Sequence, residues 1–242
     1  MIKQVLSAFS VLILLFAAPY GASSDQINYS LIILSNKSET RRELLYSSDF
    51  RMLDPKTWVV EMDSLDSSSV YVKNNALILD TKGGVTVWLN KNLKGNFEIE
   101  YTRKIIIDNG NNDRLSDMNQ FWMATDPATS NLFMRKGKLA EYDNLSLYYA
   151  GIGGNYNSTT RFRKYHHGER RLLKEDTTQA KLLKANHEYK IKTIVQDGTT
   201  SVWVDGELYF EYKDPQALTE GYFGFRSTWS RQEIKDLKVY RL

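Results

Sequence analysis

The chain has 242 residues, 12% of them aromatic, no cysteine and a formal net charge of +3. That length suits one sizeable core. The lack of cysteine excludes a disulfide framework and a lipid-bearing cysteine, and the near-balanced charge offers no basic stripe for nucleic acid.

In chain order, Lys3 precedes an apolar run from Val5 to Ala18, followed by Pro19, Gly21 and small residues. The run is shorter than the roughly 20 residues of a membrane span. It reads as a secretory signal peptide, residues 1–24, cleaved after Ser24, with a retained anchor as its rival. A cysteine-free exported chain of this size points to a bacterial envelope: periplasm, outer cell surface or medium. No stable membrane span is expected once the leader is cut. Residues 25–44, which include the run LIIL, read as an N-terminal strand or arm, and the domain proper spans 45–242.

Val70, Val72, Leu77, Leu79, Val85, Val87, Leu89, Phe97, Ile99 and Tyr101 recur at period two, punctuated by NN, GG and KG. That is the pattern of successive antiparallel strands with one buried face. Residues 108–135 break the rhythm with a polar loop, a short central strand around FWMA and an Asp-Pro turn. RFRKYHH reads as another strand, and RRLLKEDTTQAKLLKANH as room for one short helix. The C-terminal third returns to strands, separated by the turn pairs QDGT and VDGE. The expected fold is an all-β, two-sheet sandwich in which Val85 and Val87 share a buried face, as do Val202 and Val204.

Four stretches, RLSDMNQFWMATDP, RFRKYHHGERRLL, HEYKIKTIVQDGTTSVWVDGELYF and GYFGFRSTWSRQEIKDLKVYRL, resemble secreted Bacteroidetes domains of the concanavalin A-like jelly-roll class. They are similar also to YesU-type proteins of rhamnogalacturonan utilisation and to sandwich-fold polysaccharide lyases. The resemblance covers residues 45–242. It implies a concanavalin A-like jelly-roll β-sandwich directed at polysaccharides as a lyase, a hydrolase or a binding module. Fold analogy does not choose among these.

The chemistry-bearing stretch is RFRKYHHGER. On a strand, Arg161, Arg163, Tyr165 and His167 face one side, and a bulge at the HHG turn brings His166 back toward them. Such a set suits a uronic-acid polysaccharide cleaved by β-elimination. Arginine pairs with the sugar carboxylate, His166 or His167 removes the proton beside it, and Tyr165 protonates the leaving oxygen. The competing reading is a solvated loop balanced by Glu169, Glu175 and Asp176. Asp117, Asn119, Trp122, Arg226 and Trp229 are the candidate substrate-binding residues, with packing as the alternative for each. Glycoside hydrolysis would need two facing carboxylates, and Asp113, Asp117, Asp126 and Glu141 are scattered over loops. No zinc spacing is present, and no metal or other cofactor is expected, although DNGNND carries oxygen ligands that suit a structural calcium. The expected partner is an acidic polysaccharide or oligosaccharide.

Overall fold

The computed structural model describes residues 42–242. The leader, and the arm up to residue 41, lie outside the described residues. Thirteen strands follow in chain order: β1 (Glu43–Ser48), β2 (Trp58–Met62), β3 (Ser69–Lys73), β4 (Ala76–Lys94), β5 (Phe97–Ile105), β6 (Met118–Thr125) and β7 (Ser146–Gly153), then β8 (Thr159–His166), β9 (Glu169–Asp176), β10 (Glu188–Gln196), β11 (Thr199–Val204), β12 (Glu207–Lys213) and β13 (Glu220–Arg241). Among the described residues no helix is long and apolar enough to cross a membrane.

The strands form two facing layers that share the long strands β4 and β13. These two pair antiparallel from Glu220↔Lys94 to Ile234↔Leu77. On its other edge, β13 pairs first with β6, from Tyr222↔Ala124 to Arg226↔Asn119, and then with β5, from Gln232↔Ile105 to Arg241↔Phe97. A register shift between Thr228 and Ser230 marks the passage from one layer to the other. The first sheet continues through β6, β7, β8 and β9, and the second through β5, β10, β11 and β12.

The inner faces meet in one core. Val85, Val87, Val202 and Val204 are all buried there, as the period-two pattern predicts. Phe162 of β8 stacks against Phe210 of β12 with ring centroids 5.5 Å apart. Buried polar groups between the sheets are bonded: Tyr101 Oη donates to Gln120 Oε1 at 2.7 Å, and Gln120 Nε2 donates to Thr193 Oγ1 at 2.7 Å. The RRLLKED stretch is strand β9 rather than helix, because its backbone extends the sheet edge along β8. A single short 3-10 turn, Gln179–Lys181, follows it.

The outer face of the first sheet carries a second, smaller core. Residues 126–145 fold back over it, so that Tyr142, Leu132 and Leu145 pack on Trp88, Phe121, Leu147 and Tyr165. Glu61 anchors this roof. Its carboxylate accepts from Trp88 Nε1 at 2.7 Å, Tyr142 Oη at 2.9 Å and Arg135 N at 2.7 Å. The Arg135 side chain in turn donates to the Leu132 and Glu141 carbonyls, each at 2.7 Å.

Candidate active face and its arginine corner

Beside the roof, registers assemble a row of polar residues on this outer face, largely buried. Arg226 of β13 stands opposite Asn119 of β6, Asn119 opposite Gly151 of β7, and Gly151 opposite Arg161 of β8. The next row brings Phe121, Tyr149 and Arg163 together. Strand alternation therefore gathers Asn119, Arg161, Arg163, Tyr165 and Arg226 on one face, from three strands.

Glycine at 151 makes this row possible. A side chain there would meet Tyr149 Oη at 2.1 Å and Asn119 Oδ1 at 2.8 Å, so the missing Cβ lets the hydroxyl and the amide converge over the strand. Beneath them, buried Arg103 of β5 donates to the Asn119 carbonyl at 2.6 Å and to the Arg226 carbonyl at 2.9 Å. A cation in the core thus fixes the two strands that carry the site.

Arg114, in the loop before β6, joins the corner. It donates to Asp117 Oδ2 at 2.7 Å, to the Trp229 carbonyl at 2.8 Å and to the Thr228 carbonyl at 2.6 Å. Its guanidinium also lies 4.9 Å from the Trp229 ring centre and 5.0 Å from that of Tyr156, while Lys82 Nζ sits 3.6 Å over Trp229. The backbone around it is unusual. Asp117 (φ 61°), Asn155 (52°), Tyr156 (58°), Asn157 (58°) and Trp229 (46°) all take left-handed conformations. For tyrosine and tryptophan that geometry is uncommon, and it costs about 1–3 kcal/mol at each residue. Backbone in left-handed conformations is thus concentrated around one arginine.

Several polar atoms here have no partner within the protein: Asn119 Oδ1, Tyr165 Oη, Arg226 Nε and Trp229 Nε1 are all buried and unbonded. Burial pushes the Asp117 carboxyl above its usual range, outweighing the pull of Arg114, Asn119 and Arg226. The Tyr149 and Tyr165 hydroxyls are raised as well, again chiefly by burial. Both are therefore proton donors rather than bases near neutrality.

Several residues take places other than those expected of them. His166 points away from Tyr165, with its Nδ1 3.2 Å from Ser146 Oγ, because alternation sends it to the opposite face. His167 occupies the β8–β9 turn at φ 50°, where the strand ends and the period-two relation to Arg163 lapses. Neither histidine stands among the residues of the corner. Trp122 is no sugar platform: it faces the core, stacks on Phe162 at 5.7 Å, and donates from Nε1 to Thr200 Oγ1 at 2.9 Å. Tyr165 lies on the expected face but is fully buried under the edge of the roof. Arg226 is buried too, and its terminal nitrogens donate to Gly137 O, Thr86 Oγ1 and Thr228 Oγ1. Lys164, which strict alternation turns inward, ends at Asp214 Oδ2, 2.6 Å away. The DNGNND loop spends the Asp113 carboxylate on Arg231 and on the backbone of Gly110 and Asp108.

Arg103, Arg114, Tyr149 and Gly151 were not singled out in the sequence. For Arg103 a signal existed, since it continues the inward alternation of Ile99 and Tyr101. Arg114 has none, because its role depends on where a loop lands.

Comparison with known proteins agrees with this architecture. A protein of unknown function with galectin-like fold from Bacillus subtilis superposes with a TM-score of 0.67 at 17% identity, covering 82% of this chain and 96% of its own. The carbohydrate binding module CBM66 from Bacillus subtilis gives 0.53 at 14% identity, over 75% and 94% of the two chains. An endo-beta-1,3-glucanase from Pyrococcus furiosus gives 0.58 at 8% identity, over 83% and 94%. At these identities the likeness establishes the jelly-roll fold alone. A search of curated proteins returns no match. Residues 79–237 match the family described as a domain of unknown function, DUF6250. The chain, a galectin-like jelly roll with an arginine-centred corner on one sheet, is a member of that DUF6250 family.

Proposed function

We propose that the protein is an exported carbohydrate-active protein whose ligand is an acidic polysaccharide, bound at the arginine corner of the first sheet's outer face. One observation carries this reading. Arg114 and Arg163 share this corner with buried polar atoms that have no protein partner, namely Asn119 Oδ1, Arg226 Nε and Trp229 Nε1. Donors, acceptors and cations gathered this way match a sugar bearing hydroxyls and a carboxylate. Structural neighbours that include a carbohydrate binding module and a glucanase support a glycan as the ligand class.

Cleavage by β-elimination is the chemistry this set favours, in keeping with the resemblance to YesU-type proteins and sandwich-fold lyases. Asp117, with its raised carboxyl, is the base: it takes the proton beside the sugar carboxylate. The C–O bond to the leaving sugar breaks as a C=C bond forms, and the Tyr149 hydroxyl gives its proton to the departing oxygen. Arg163, whose guanidinium lies 5.3 Å from the Tyr149 ring centre, meets the carboxylate as charge builds toward it. Hydrolysis by paired carboxylates is the second reading, and among the described residues the partner of Asp117 would have to come from the carboxylates around this face. Around this face Glu61 is fully bonded, Glu175 is paired with Arg161, and Asp143 with Arg170.

Incubation with polygalacturonate, rhamnogalacturonan and other uronic-acid polysaccharides tests both levels. Binding together with an unsaturated product absorbing in the near ultraviolet supports elimination. Binding without turnover restricts the protein to recognition. Saturated reducing ends as the sole product contradict elimination.

A further inference from the structure

On the opposite side of the molecule, the outer face of the second sheet holds a groove of about 580 Å3, lined in part by Trp203, Ile194, Lys192, Glu100, Thr102 and Lys238. The acidic-glycan corner uses none of these residues. Registers set Leu208, Trp203, Lys192, Glu100 and Lys238 side by side across five strands.

Trp203 is half-buried, and its Nε1 donates to Ser201 Oγ at 3.1 Å, two residues back on the same face. The half-buried indole lines the groove. Next to it lies a cluster of ion pairs. Lys192 Nζ is 3.0 Å from Glu100 Oε1, and Arg42 lies 3.0 Å from Glu98 and 3.2 Å from Glu100. At the far end, β13 breaks register between Lys235 and Lys238, with Asp236 at φ 54°, and this bulge bounds the groove.

We infer that this groove is a second glycan site, one that takes an uncharged stretch of polysaccharide, with a pyranose ring stacked on Trp203. The flat ring suits the C–H face of a sugar. The neighbouring carboxylate and ammonium groups, fixed by their ion pairs, offer acceptors and donors at the spacing of adjacent hydroxyls. The Lys192–Glu100 pair is already made, so hydroxyl groups need only share its charges, while Lys190, Lys238 and Asp236 complete the lining. This site does not depend on the acidic-glycan reading of the other face.

The test is calorimetric titration of the full chain with neutral gluco-, manno-, galacto- and xylo-oligosaccharides, followed also by tryptophan fluorescence. At least one series should bind, with an affinity insensitive to added salt. Trp203→Ala should weaken it about tenfold or more, while Trp203→Phe, which keeps a flat ring, recovers most of the loss. Arg163→Ala, on the other face, should bind as wild type does. Thermal melting checks that the variants fold, and Lys192→Met serves as a second probe should Trp203→Ala melt early. Failure of every neutral series to bind, or wild-type affinity in folded Trp203→Ala, overturns the proposal.

Discussion

Arg114 holds together an anion partner, two carbonyls and two aromatic rings, yet its own position depends on strained neighbours at Asp117, Tyr156 and Trp229. Once a ligand of the proposed acidic class is found, Arg114→Ala and Arg163→Ala should each weaken its binding by about 10- to 100-fold, the range for a lost hydrogen bond to a charged group. Isothermal titration reads both. His167→Gln, at the hairpin turn, should change affinity and turnover by less than about twofold, as surface substitutions do. A large loss at His167 would return the histidines to the site. Asp117 gives a prediction about pH. Its carboxyl is raised by burial, so its favourable contribution is full below the ordinary value of about 3.9 and is lost as pH rises through the raised value. Asp117→Asn lacks that loss. Its melting temperature should therefore gain on wild type as pH climbs from about 4 to neutrality, and a constant difference across that range would contradict the assignment.

Strand β8 shows how one element serves two faces. Arg161, Arg163 and Tyr165 go outward, while Phe162 enters the core and Lys164 reaches Asp214. Lys164 Nζ also donates to Gln216 O at 2.7 Å, and Asp214 accepts from Tyr148 Oη at 2.5 Å, so the inward lysine has built partners instead of being an error in the pattern. Lys164 and Asp214 are nearly dry, with side chains 9% and 2% exposed. Lys164→Met would leave that carboxylate without its cation, at a cost of about 3 kcal/mol or more. Differential scanning calorimetry should show a melting temperature roughly 10 °C lower, and an unchanged value would mean that the pair carries no load. Alternation made most of this strand legible in the sequence, because period two is a property of the backbone. It stopped being a guide at His167, where the chain turns at φ 50° and side-chain direction no longer follows from count. The RRLLKED stretch misled for a related reason: an edge strand with one wet face has little apolar signal to separate it from a polar helix.

Across the whole molecule, the layers were readable because they rest on repeated apolar positions, and the site was readable only where it lies on strands. Asn119, Arg161, Arg163 and Arg226 share a face that alternation and register define. The roof formed by residues 126–145, the Glu61 hub beneath it and the placing of Arg114 against Trp229 depend on loop paths, for which the sequence has no period. That same roof packs Tyr165 against Leu145 and Tyr142, while the Tyr149 hydroxyl converges with Asn119 over Gly151, which places the proposed proton donor at Tyr149. If an acidic glycan binds the arginine corner and a neutral one binds the groove, the two sites should respond differently to ionic strength. Raising salt from about 0.05 to 0.5 M shortens the Debye length severalfold, and should weaken acidic-glycan binding while leaving neutral-glycan binding in place.

The most direct test of the central claim is a calorimetric comparison of a uronic-acid oligosaccharide with its carboxyl-reduced, neutral counterpart, on wild type and on Arg114→Ala. The charged sugar should bind wild type more tightly, by about tenfold or more, and that preference should collapse in Arg114→Ala. Equal affinity for the two sugars, or a preference that survives in folded Arg114→Ala, would contradict an acidic-glycan site at this corner.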